Sequence, residues 1–131
     1  MFYIFSHTPL VDDTEAAPEL LEMHLTAGII HQVDVLFQDG CAHEIFVQIW
    51  QANRQLWPSN RGQKLRGNAT VVSFREFHEL KAGDTILTAK IWTKLEVYTY
   101  EVIIQIGLLP KRVLQPLSFE ELLSAATGIE E

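Results

Sequence analysis

Five histidines (His7, His24, His31, His43 and His78) and a single cysteine, Cys41, are the residues of this chain best suited to metal binding or nucleophilic chemistry. Metal motifs place their ligands at short fixed spacings, so that two side chains leave one element toward the same point. No two of these histidines stand at such a spacing, and His24, His31 and His43 would meet only if their strands were neighbours. His31 falls on the apolar face of its segment, where a hydrogen-bonded core imidazole is expected. Cys41 lies between Asp39 and Glu44, whereas a reactive thiolate needs an electropositive setting, so a structural thiol is expected. One cysteine supports neither an intramolecular disulfide nor a cysteine-based zinc site. Gly62 and Gly67 have no phosphate-loop pattern around them, and no serine has a nucleophile-elbow context. The expectation is a chain with no catalytic set, metal or cofactor.

Large rings offer a second kind of chemistry. Trp50 and Trp92 fall on strand faces opposite the aliphatic ones, and Trp57 sits in a basic loop. Rings on an open sheet face stack on sugars, so Trp50, Trp57 and Trp92 are a candidate carbohydrate platform. The competing expectation is that the chain itself or another subunit covers these faces. The loop 51–66 could also stack and pair with single-stranded nucleic acid, but a formal net charge of −7 opposes this.

Charge is distributed in blocks. Residues 1–22 carry Asp12, Asp13, Glu15, Glu19 and Glu22 without a Lys or Arg, and residues 51–75 carry Arg54, Arg61, Lys64, Arg66 and Arg75 without an acid. Such asymmetry marks an interaction surface, within one chain or between copies. In the intermolecular reading the apolar Phe2, Ile4 and Phe5 supply affinity, and Asp12, Asp13 and Glu15 meet Arg54, Arg61, Lys64 and Arg66 beside Trp57. The partner would be another copy or a shell protein.

The elements that must position these residues are strands. Gly28–Phe37 alternates, with Ile29, His31, Val33, Val35 and Phe37 on one face; His43–Trp50 alternates with Ile45, Val47 and Ile49 together. Residues 69–77, Thr85–Trp92 and Val97–Ile106 repeat the pattern, the last with Tyr98, Tyr100, Val102, Ile104 and Ile106 inward. Asp39-Gly40 and Ala82-Gly83-Asp84 supply turns, and Thr93–Glu96 reads as a hairpin connection. The predicted fold is all-β, an antiparallel sandwich of jelly-roll or immunoglobulin-like type over residues 28–107. Residues 1–27 are an extended N-terminal arm in which Phe2–Thr8 and Glu19–Leu25 could add strands. In residues 108–131, Ser118 and Glu121 form a capping box ahead of the stripe Phe119, Leu122, Leu123 and Ala126, which predicts one short C-terminal helix ending at Gly128. No membrane span and no cleaved leader are expected, which places the chain in a cytoplasm.

The run Gly28–Phe37 followed by Asp39-Gly40-Cys41, then Gln55-Leu56-Trp57-Pro58-Ser59-Asn60 and Phe74-Arg75-Glu76-Phe77, resembles in its layout the small β-sandwich accessory proteins of bacteriophage particles, such as capsid decoration or head-associated proteins. The resemblance implies a non-enzymatic structural role in a repetitive assembly, with the protein assembled in a host cytoplasm and carried in the virion. It implies no particular functional residue.

Overall fold

The computed structural model describes residues 1–110, and the capping box at Ser118 lies outside them. Eight strands follow in order: β1 Phe2–His7, β2 Glu19–His24, β3 Gly28–Phe37, β4 Ile45–Gln51, β5 Arg54–Trp57, β6 Thr70–Leu80, β7 Ile86–Thr93 and β8 Val102–Leu109. They form two four-stranded antiparallel sheets with orders β1-β8-β3-β6 and β2-β7-β4-β5. Only β4 and β5 follow each other within one sheet; every other connection crosses between sheets. Thr93–Glu96 is therefore a crossover start and not a hairpin, because β7 takes β2 and β4 as neighbours while β8 takes β1 and β3.

Period-two alternation supplies the core. Val33, Val35, Val47, Ile49, Leu87, Ile91, Val102 and Ile104 have no exposed surface between the sheets. Burying each such side chain is worth roughly 1.5–3 kcal/mol relative to leaving it in water. The two segments of the N-terminal arm that could add strands do so, as β1 and β2, and their inward residues join this core. Met23 and Leu25 are buried and Tyr3, Phe5 and Leu21 pack against it, because alternation in both segments gives each an inward face. β1 and β2 are thus edge strands, and residues 8–18 connect them.

Two further expectations are corrected. The last strand begins at Val102, not Val97, and Tyr98 is exposed. Thr99 Oγ1 donates to the Pro9 carbonyl, and Tyr100 lies so close over Gly40 that a β-carbon there would sit 2.5 Å from its ring, which holds the segment off the ladder. His31 is not a core residue of the inward row. Between Ile30 and Gln32 the register of β3 shifts by one residue against β8, so Ile30 points inward and His31 is the bulged position.

The β3–β4 turn is fastened from a distance. Asn68 Oδ1 accepts from the backbone N–H groups of Gly40 and Ala42, both at 2.9 Å. Cys41, at the centre of this turn, is fully buried, and burial pushes its thiol pKa up, which suits a packing role. Among the described residues no helix is long and apolar enough to cross a membrane.

Candidate interaction surface

Residues directly opposite each other in an antiparallel pair share a face, so the registers define the outer surface of the β1-β8-β3-β6 sheet. It is a grid of three rows: Ser6–Ile103–Leu36–Val71, Ile4–Gln105–Asp34–Ser73 and Phe2–Gly107–Gln32–Arg75. Phe2 is 61% exposed, Ile4 64% and Val71 51%. A shallow depression of about 360 Å³ runs between the first two rows, from Val71 and Leu36 to Ile103 and Gln105. Ser73 Oγ donates to Asp34 Oδ1, and Gln32 Nε2 donates to both carboxylate oxygens of Asp34 at 3.2 and 3.3 Å. The carboxylate is therefore held by neighbours on β3 and β6. At one corner a β-carbon on Gly107 would lie 2.7 Å from His31 Nε2 and 2.8 Å from Phe2 Cε1. Glycine there lets the Phe2 and His31 rings meet edge-on, 5.8 Å apart.

The second sheet is different. Phe46 and Trp92 project from its outer face, stacked at 5.7 Å, yet they are only 1% and 3% exposed. Leu65 exchanges both backbone hydrogen bonds with Val47 at 2.9 and 2.8 Å, which lays the basic loop along β4. Lys64, Arg66 and Lys94 then stand 5.2–6.0 Å from the Phe46 ring centre. This geometry is a cation–π cover.

The basic segment is consequently divided. Lys64 and Arg66 serve the Phe46 cover, and Lys64 Nζ pairs with Glu15 at 3.5 Å within the same chain. Arg54 and Arg61 line a separate cleft of about 340 Å³ at the β5/β6 edge, with Ser59, Glu76, Phe77 and His78. Gln55 shapes that cleft. Its Nε2 donates to the carbonyls of Pro58 and Gln63 at 2.7 and 3.2 Å, and its Oε1 accepts from Gly62 N at 3.1 Å. His78 Nε2 lies 3.0 Å from Gln51 Oε1, and burial, helped by the Arg54 charge, lowers its pKa.

The three tryptophans do not share one platform. Trp57 is 4% exposed and packs in the core against Phe74 and His78; Trp92 is buried beside Phe46. Trp50 is half-buried under Lys90, whose Nζ stands 3.9 Å from its ring centre. Phe5 turns inward while Phe2 and Ile4 turn out, so the apolar set expected at an interface is split by the strand's own alternation. Of the acids, Asp12 is exposed, Glu15 holds Lys64, and Asp13 Oδ2 accepts from Leu10 N at 2.8 Å. His24 and His31 lie on outer faces of different sheets and His43 is in the β3–β4 turn, so those three do not converge. No family model matches this chain, and no curated protein matches its sequence.

Proposed function

We propose that the protein is a non-enzymatic interaction protein of a repetitive assembly, most concretely an accessory virion protein, in which copies meet through the outer face of the β1-β8-β3-β6 sheet. The observation that carries this reading is the composition of the grid. In a chain of net charge −7, its twelve positions hold one acid, Asp34, and one base, Arg75. Two copies can approach there without like-charge repulsion, and a two-fold pairing supplies acid and base to both sides. Exposed Phe2, Ile4 and Val71 supply the apolar contact.

The strand orders β1-β8-β3-β6 and β2-β7-β4-β5 follow the jelly-roll arrangement, which viral capsid and lectin domains both use. This supports the assembly reading at the level of architecture. The carbohydrate reading draws nothing from the rings, since Trp57 and Trp92 are buried. Sedimentation equilibrium of the full chain over a wide concentration range tests the proposal. Self-association is expected, and Ile4→Lys with Val71→Lys should abolish it while the circular dichroism spectrum is retained. A full chain that stays monomeric throughout overturns the reading.

A further inference from the structure

β1 and β2 are the terminal strands of their sheets on the same side of the sandwich, joined by residues 8–18. His7 ends β1 and Glu19 begins β2, and the alternation of each strand turns both side chains toward the partner sheet. Asp13 closes the gap from the connecting loop. That loop is fixed at both ends of the aspartate: Asp13 N donates to Leu10 O at 2.9 Å, and Thr93 N donates to Asp13 O at 3.1 Å. One ligand atom from each of His7, Asp13 and Glu19 lies within 4.8 Å of the other two, and all three residues are partly buried. His7 Nε2 has essentially no exposed surface and no hydrogen-bond partner. A buried imidazole nitrogen without a partner carries a desolvation cost that a ligand would relieve.

We propose that His7, Asp13 and Glu19 hold a divalent transition-metal ion, with zinc as its type, which clasps β1 to β2. One imidazole nitrogen and two carboxylate oxygens form a borderline-to-hard donor set, matched to zinc and its first-row neighbours and poorly matched to magnesium, which prefers oxygen ligands and retains its water. An ion with bonds of about 2.0–2.2 Å would draw the three donors closer together than their present spacing of up to 4.8 Å. A fourth position remains for water. The ion would link the two sheets at the edge where no ladder joins them, so occupancy stabilises the folded chain. This site is independent of the sheet-face proposal, because it lies between the sheets and not on the grid.

Calorimetric titration of the full chain with zinc alone tests it, alongside thermal melts with zinc or magnesium. The expected result is one zinc per chain and a melting temperature raised by zinc and not by magnesium. Glu19→Gln and His7→Gln should each weaken zinc at least tenfold. Should His7→Gln fail to fold, Glu19→Gln decides, since Glu19 is a partly exposed residue at the start of an edge strand. His24→Gln is the control, because exposed His24 and Glu22, 3.3 Å apart, are the rival zinc site. Absence of binding at one equivalent overturns the proposal. So does unchanged affinity in Glu19→Gln, or a tenfold loss in His24→Gln with Glu19→Gln unaffected.

Discussion

The outer faces of the two sheets start from similar residues and end in opposite states. Each carries large apolar side chains at outward positions: Phe2, Ile4 and Val71 on one, Phe46, Trp50 and Trp92 on the other. On the second face the chain returns, pairs Leu65 with Val47, and lays Lys64 and Arg66 across Phe46. On the first face Phe2 and Ile4 remain more than half exposed. The difference teaches that outward apolar residues in this sequence are not themselves a surface signal. On the second face a later basic loop comes back over Phe46, while the outward Leu20 and Ile86 of the same sheet stay exposed.

Substitution of paired rings is the strongest way to break this contrast. Phe46→Ala should cost about 3–5 kcal/mol, since it empties a covered ring site, whereas Phe2→Ala should change stability by at most about 1 kcal/mol. Urea unfolding at concentrations low enough to keep chains apart measures both. Equal costs would mean that the first face is covered too.

A second effect concerns the loop that provides the cover. Gln55→Leu removes the amide that collects the carbonyls of Pro58 and Gln63 and serves Gly62 N. A loss of about 1–3 kcal/mol is expected, with protease nicking confined to residues 58–63. An unchanged digestion pattern would show that the loop is held by Leu65 alone.

Acidification sharpens the comparison at the cleft edge. The folded-state pKa of His78 is lowered, first by burial and then by Arg54. As pH falls through the unfolded value near 6.5 toward the folded one, the unfolded chain takes up the proton first, so this group's contribution to stability is lost there. His78→Gln should therefore flatten the fall of the unfolding midpoint as the pH drops below about 6.5. An identical profile in the variant would assign the pH dependence to other groups.

The smallest effect is at the cover's rim. Glu15→Gln removes the partner of Lys64, and with the glutamate mostly exposed the cost should be about 0–1 kcal/mol, fading as salt rises. A loss insensitive to salt would mean that Glu15 acts through packing.

How much of this was legible in the sequence follows from the range of each interaction. Alternation is local, so the strands around Val33, Val47, Leu87 and Ile104 could be read directly, down to their buried faces. The pairing of Phe2 with Gly107 joins the two ends of the described chain, and no local pattern announces it. The bulge at His31 is equally hidden, because it arises from ladder geometry with β8 while the residues around it keep alternating. Charge blocks were visible, but their division was not. Lys64 and Arg66 leave Arg54 and Arg61 only because Leu65 bridges to β4. His7, Asp13 and Glu19 stand six residues apart across a loop, which matches no ligand motif; the signal available was that two segments with inward alternation each bore a ligand residue at its loop end.

The position of β8 also sets the order in which a nascent chain can be finished. The β2-β7-β4-β5 sheet has all its strands once Thr93 has been made, but β8 lies between β1 and β3. Until residues 102–109 have been made, β1 has no neighbour in its sheet, and β3 presents an open edge of unpaired amides. At synthesis rates of roughly 5–20 residues per second, that interval lasts on the order of one to three seconds. During it the growing polypeptide offers the kind of strand edge that other chains pair with. Aggregation of the growing chain should therefore respond to delays that lengthen the interval between Thr93 and Leu109.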